Sequence, residues 1–132
     1  MNIMLTLAGA IALVTTLGHF TAGTKMYLNP LLESDIEPLA KKVLHCVFHY
    51  VSAFLILSAI ALLMIGFEWW RGAPARLLAR FIATNYAVFA VWQLVLAKQS
   101  GIPSASKKMF QWIFFAVIAS LAWFGAAADG FE

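Results

Sequence analysis

Four long apolar segments, separated by short charged connections, dominate the hydrophobic pattern of the chain. The longest uninterrupted segment covers residues 43–66, which are 24 residues without a formal charge. Because a helix rises about 1.5 Å per residue, this segment is long enough to cross a hydrocarbon core of about 30 Å. The pattern predicts an all-α, polytopic membrane protein, a single domain over residues 1–132 with four transmembrane helices in an up-down-up-down bundle. The predicted transmembrane helices cover about residues 3–24, 43–66, 77–97 and 109–127.

The first connection, residues 25–42, is rich in leucine, and we therefore predict an interfacial lid rather than a flexible linker. Ser34 and Glu37 have the spacing of a capping box. This spacing predicts that the second helix begins near Asp35, with Pro38 in its first turn, where the missing N–H of proline costs little.

The composition supports a membrane protein, because 63% of the residues are hydrophobic and only 11% are charged, whereas soluble domains carry about 25% charged residues. The lipid bilayer is the expected partner. Four short helices enclose little volume, which makes a homo-oligomer or a larger membrane complex a further hypothesis. The net charge of +3 is ordinary for a membrane protein with basic loops and does not indicate nucleic-acid binding. The single cysteine excludes an internal disulfide.

The basic residues predict an orientation. Six lysines belong to one side of the predicted bundle, and three arginines belong to the other side. By the positive-inside rule, the lysine-rich connections are expected in the cytoplasm. Both termini are then periplasmic, in a bacterial inner membrane.

Three histidines lie close to the lysine-rich side. His19 is roughly 7 Å below that interface in the first predicted helix, and His49 is roughly 9 Å below it in the second. His45, His49 and Ser52 follow an i, i+4, i+7 spacing, which places them on one face of an otherwise apolar helix. That face is expected to contact protein, water or a ligand rather than lipid.

Two glutamines fall at a similar depth, Gln93 near the end of the third predicted helix and Gln111 near the start of the fourth. With Ser52 and Tyr86 they are the candidate polar shell around the histidines. All three histidines and both glutamines are therefore predicted to lie in the same leaflet.

Two tryptophans complete the candidate site, whereas the nearby cysteine is not part of it. Trp92 and Trp112 are predicted near the same level, where they would pack on a porphyrin or quinone ring, or anchor the helices at the interface. Cys46 is expected to be a small core residue rather than a ligand.

Three functions compete for this polar cluster. The first is a binding site for haem b or a transition metal (zinc, copper or iron), with His19, His45 and His49 as candidate ligands, in a redox-accessory or metal-handling role. The second is a proton or ion path in a small transporter or channel subunit. The third is a hydrogen-bonded network that fixes helix register in a structural subunit.

Familiar catalytic patterns do not occur in the sequence, which has no HExxH, CxxC or GxSxG motif and no acidic pair within a predicted transmembrane helix. We therefore assign no catalytic residue, and an enzyme is not favoured. The metal or haem site is the leading hypothesis.

Overall fold

The computed structural model describes residues 1–127, which are helical apart from short connections. Residues 128–132, which follow the predicted end of the fourth transmembrane helix, lie outside the described part of the chain. The chain forms, in order, α1 (Ile3–Gly18), a π-helix (His19–Leu28), α2 (Asn29–Glu33), α3 (Pro38–Gly66), α4 (Gly72–Gln99), α5 (Ala105–Lys108) and α6 (Gln111–Ala127).

The long helices form an up-down-up-down bundle, and the predicted fold class is confirmed. The N–H of Asn2 donates to the carbonyl of Gly66 at 2.8 Å, and its side-chain amide donates to the carbonyl of Gly125 at 2.8 Å. The start of α1 therefore lies beside the ends of α3 and α6. At the opposite end of the bundle, Gln93 of α4 contacts Gln111 at the start of α6.

Three helical stretches are long and apolar enough to cross a membrane: Ile3–Glu33, Pro38–Gly66 and Gly72–Gln99. The fourth apolar helix, Gln111–Ala127, is shorter. These helices are consistent with a lipid environment, in which every backbone N–H and C=O must be bonded within the protein. The first helical stretch does not end near residue 24, where the predicted transmembrane helix ends, but continues through the π-helix and α2 to Glu33.

Small residues let the helices approach closely at one end of the bundle, which we call the glycine end and define by Gly9, Gly66 and Gly125. A Cβ atom on Gly66 would lie 2.6 Å from the backbone nitrogen of Thr6. A Cβ atom on Gly9 would lie 2.9 Å from the backbone nitrogen of Leu63, and Gly125 is similarly close to α1. Only glycine allows these distances, as at other close helix–helix contacts in membranes.

Two local predictions are wrong. The capping box does not form, because α3 begins at Pro38, and proline disfavours a helical conformation in the preceding residue. Glu37 is the actual N-cap, and its carboxylate accepts hydrogen bonds from the N–H groups of Leu39 and Ala40. The Ser34 hydroxyl instead donates to a carbonyl in α2. The second wrong prediction concerns Cys46, which is exposed rather than in the core.

Candidate functional site

The half of the bundle opposite the glycine end, which we call the cavity end, contains the ten-residue π-helix His19–Leu28. A π-helix has i→i+5 hydrogen bonds and occurs mostly as a single turn, frequently at functional sites. A ten-residue π-helix is therefore unusual. Its inner face carries His19, Gly23 and Tyr27, which line a cavity between the helices.

The cavity has a volume of about 620 Å³ and is bounded by α1, the π-helix, α3, α4 and α6. Most of its wall is apolar, and much of this wall is aromatic. The aromatic part includes Phe48, Phe89, Trp92, Phe110 and Phe115. None of the described residues that line the cavity is Asp, Glu, Lys or Arg. The cavity is therefore suited to a neutral ligand with a large apolar surface.

His19 joins the π-helix to α3 at the edge of this cavity. Its Nε2 lies 2.9 Å from the Ser52 hydroxyl oxygen and 3.3 Å from the carbonyl oxygen of Phe48. The Ser52 hydroxyl donates to the same Phe48 carbonyl at 3.0 Å, so it is free to accept a hydrogen bond from Nε2–H. The imidazole also stacks on the Phe48 ring at a centroid distance of 4.1 Å. In this arrangement Nδ1 is the histidine nitrogen that remains free to accept a hydrogen bond or bind a metal.

A second set of hydrogen-bonded side chains connects α4 to the π-helix at the cavity end. The Gln93 side-chain nitrogen donates to Gln111 Oε1 at 2.7 Å, and the Gln111 nitrogen donates to the Tyr27 hydroxyl oxygen at 2.6 Å. All three residues line the cavity. Gln93 Oε1 is buried and has no hydrogen-bond partner, the one such side-chain atom found in residues 1–127. A buried polar atom without a partner is rare in folded proteins and needs an explanation.

His45 and His49 form a separate pair on α3. Their Nε2 atoms are 3.1 Å apart, and their ring centroids are 5.0 Å apart. His49 is exposed, and neither residue lines the cavity. Within the described part of the chain, no three His, Cys, Asp or Glu side chains are arranged to hold a metal ion. The structure therefore does not bring the three candidate histidine ligands into one site.

The predicted face of α3 is divided between the inside and the outside of the bundle. On a helix with 3.6 residues per turn, Ser52 and His49 are separated by about 60° around the axis. Ser52 is buried against His19, whereas His49 points outward. The shared face was predictable from the spacing, but which part of that face is buried depends on where the π-helix packs against α3.

The remaining candidates also separate into two groups. Trp92 lines the cavity, as do both glutamines. Tyr86 lies outside the cavity, fully buried, with its hydroxyl oxygen 2.8 Å from the Ser58 hydroxyl oxygen. Trp112 also lies outside the cavity, and its indole N–H donates to the Ser106 carbonyl at 2.9 Å. Tyr86 and Trp112 therefore hold helices together rather than contact a ligand in the cavity.

The π-helix and Tyr27 are the parts of the site that the sequence analysis missed. The cluster of threonines and glycine around Gly23 was visible, but it does not distinguish an α-helix from a π-helix. Tyr27 was placed in the predicted connection because Lys25 ended the apolar segment.

Comparison with known proteins adds no relative: no family model, no curated protein and no solved structure matches the chain. The function is therefore argued from the geometry of the cavity and its polar groups.

Proposed function

We propose that this protein binds a neutral, lipid-soluble molecule with a flat ring system, of the quinone type, in the cavity between its helices. The observation that carries the proposal is the cavity of about 620 Å³, which lies within the range of about 300–1,000 Å³ that is usual for small-molecule and cofactor sites. Its aromatic wall offers surfaces for ring stacking. The absence of charged residues from the described lining favours a neutral ligand.

Haem b is an alternative ligand for the same cavity, and the geometry supports haem less well than a quinone-type ring. A haem iron takes an imidazole nitrogen as an axial ligand. His19 lines the cavity but His49 does not, so these two histidines are not placed to ligate one haem there. A quinone-type ring needs only a hydrogen-bond donor for its carbonyl, and the Tyr27 hydroxyl, which lines the cavity and accepts from Gln111, keeps its own hydrogen to donate.

We also propose that the cavity lies in the cytoplasmic leaflet of a bacterial inner membrane, with both termini periplasmic. The cavity end adjoins the lysine-rich connections, and the positive-inside rule favours such connections in the cytoplasm. The ligand would then exchange with that leaflet.

The test is to purify the full chain gently in detergent and to record the visible absorption spectrum of the protein. An organic-solvent extract of the same sample is then analysed for a bound compound. We expect a co-purified ring compound, identified by mass spectrometry, or saturable binding of added naphthoquinone. Gly23→Leu should reduce binding at least severalfold because Gly23 is a buried part of the cavity wall. The matched control is Ala53→Leu, an exposed position outside the cavity. A Soret band would replace the quinone-type ligand with haem, and a protein that binds neither would overturn the proposal.

A second candidate function, metal binding at His45 and His49, is favoured by the 3.1 Å distance between their Nε2 atoms. Two nitrogens bound to one metal at 2.0–2.1 Å are about 2.9 Å apart at a right angle and about 3.4 Å apart at the tetrahedral angle. The observed distance lies between these values. The remaining ligands would come from water or a second copy of the chain.

Metal analysis separates this candidate from the first. Zinc, copper or iron should be bound in proportion to protein and be lost in His45→Gln or His49→Gln. The matched control, His19→Gln, should retain the metal because His19 does not contact the pair. Metal content that is unaffected by all three substitutions would rule out this site.

A further inference from the structure

The histidine pair on α3, His45 and His49, offers two of the four ligands that a tetrahedral metal site takes. We infer that a second copy of this chain supplies the other two, so that one metal ion joins two copies across a two-fold axis. This inference rests on the metal site proposed above as the second candidate function, and it is independent of the cavity. It identifies the partner that completes the site.

The missing ligands do not come from the same copy. The Nε2 atoms of His45 and His49 are 3.1 Å apart, but in residues 1–127 no third His, Cys, Asp or Glu side chain is placed to hold an ion with them. His19 lines the cavity instead, with its Nε2 2.9 Å from the Ser52 hydroxyl oxygen. The metal site is therefore incomplete within one copy.

The histidine pair lies at the outer surface of the bundle. Around the axis of α3, Ser52 lies about 60° to one side of His49, and Cys46 lies about 60° to the other side. Ser52 is buried, whereas His49 and Cys46 are exposed. A metal ion held by the pair would therefore lie outside the bundle, where a second copy can contact it.

The surroundings of the pair favour a second copy over water as the source of the missing ligands. Neighbouring exposed side chains on α3 are apolar and include Leu44 and Val47, which would contact lipid in a membrane. A divalent cation that keeps water ligands in such surroundings is costly, whereas a second copy covers the ion and adds neutral imidazoles. Lys42, which is exposed one turn before His45, is long enough to extend its charge toward the aqueous boundary.

Two-fold symmetry lets the same pair complete the site from both sides. Both copies use the same surface patch in such a dimer, so two pairs give four imidazole nitrogens, a ligand type that suits zinc and copper. Ala53 is exposed one turn beyond His49, and its small side chain allows two α3 helices to approach closely. The arrangement predicts one metal ion for every two chains.

The experiment adds zinc to the full chain, purified in detergent and freed of metal with EDTA, and measures bound zinc and the protein mass by light scattering. We expect about one zinc per two chains, with a mass that rises from one chain to two and falls again when EDTA is added. His45→Gln and His49→Gln should lose both the zinc and the dimer. The matched control, His19→Gln, should keep both.

Crosslinking locates the contact between the two copies. Cys46 is the single cysteine of the chain, and zinc should raise its crosslinking by a short bismaleimide severalfold. The matched control combines Cys46→Val with Val47→Cys, which moves the thiol by about 100° around α3 to another exposed position. Zinc should leave the crosslinking of this variant unchanged, because its thiol lies away from the pair.

The outcomes separate the second copy from the metal site itself. One zinc per chain on a single copy would overturn the inference while the metal site stands. A dimer that is unaffected by EDTA, or zinc-dependent crosslinking that is equal in the wild type and the control, would also overturn it. Failure of the wild type to bind zinc would instead overturn the proposed metal site.

Discussion

The glycine end and the cavity end are built from the same long helices, yet they pack in opposite ways. At the glycine end, Gly9 and Gly66 bring α1 and α3 so close that an added Cβ would overlap backbone atoms. At the cavity end, aromatic rings stand between the helices, and a cavity of about 620 Å³ remains. The backbone conformation of the first helical stretch also differs between the two ends: it is α-helical over Ile3–Gly18 and π-helical over His19–Leu28.

The two ends also differ in how their polar groups are bonded. At the glycine end, Asn2 and Thr6 are bonded to backbone carbonyls, and deeper in the core Ser58 pairs with Tyr86. At the cavity end, Gln93 keeps one buried oxygen without a partner. Within residues 1–127, close packing and bonded polar groups at one end fit a stabilising role, and the cavity and the unpaired oxygen at the other end fit the binding role proposed above.

The largest expected effect is at the glycine end, where Gly66→Ala would place a Cβ atom 2.6 Å from the Thr6 backbone nitrogen. Overpacking of this kind costs about 1–3 kcal/mol. The free energy of unfolding should fall by that amount in an SDS titration in mixed micelles. Gly18→Ala is the control, because an added Cβ there meets no atom within 4 Å. If Gly18→Ala were as destabilising as Gly66→Ala, close packing would not be what distinguishes the glycine end.

The buried Ser58–Tyr86 pair predicts an asymmetric effect. Ser58→Ala leaves the buried Tyr86 hydroxyl without its partner and should cost about 1–3 kcal/mol. Tyr86→Phe should cost only about 0.5–1.5 kcal/mol, because the Ser58 hydroxyl keeps its bond to the Leu55 carbonyl. The same SDS titration measures both values. Equal costs would show that the tyrosine hydroxyl finds another partner.

Gly23→Ala tests the cavity end directly. An added Cβ would lie 3.6 Å from His19 Nδ1 and 3.8 Å from the Phe48 ring, which are ordinary contact distances. We expect the free energy of unfolding to change by less than about 0.5 kcal/mol. A cost similar to that of Gly66→Ala would mean that the cavity end is packed as tightly as the glycine end.

The smallest expected effect concerns the exposed cap of α3 at the cavity end. The backbone N–H groups of Leu39 and Ala40 hold the pKa of Glu37 below its ordinary value of 4.5. The stabilisation from the charged cap is therefore complete above pH 4.5 and is lost as the pH falls through the lower pKa of the folded state. Glu37→Gln should lower the thermal midpoint slightly at neutral pH, and the difference should shrink below pH 4.5. A difference that does not depend on pH would exclude the charge of Glu37 as its cause.

The fold was predictable because few backbone structures can span a lipid bilayer. Apolar segments of about 20 residues with at most one charge must be helices in lipid, and short connections make neighbouring helices antiparallel. The same reasoning placed His19, Gln93 and Gln111 at one depth, and all three line the cavity. Whether they bind a ligand there stays a prediction.

The details that could not be predicted depend on competition between local and distant contacts. Ser34 and Glu37 have the spacing of a capping box, but the helix begins at Pro38, and Glu37 is therefore its N-cap. The periodicity of α3 placed His49 and Ser52 on one face, but it does not say which of them the π-helix will cover through His19. The π-helix has no signature in residue type, because its backbone register depends on the packing around it.

The charge-free lining of the cavity also has an electrical consequence. The transmembrane voltage changes the energy of one elementary charge that crosses the whole membrane by about 2.3 kcal/mol per 100 mV. The described residues of the lining include no Asp, Glu, Lys or Arg, and the proposed ligand is neutral, so its binding would move no charge through this field. Occupancy of the cavity should therefore depend little on whether the cell is energised.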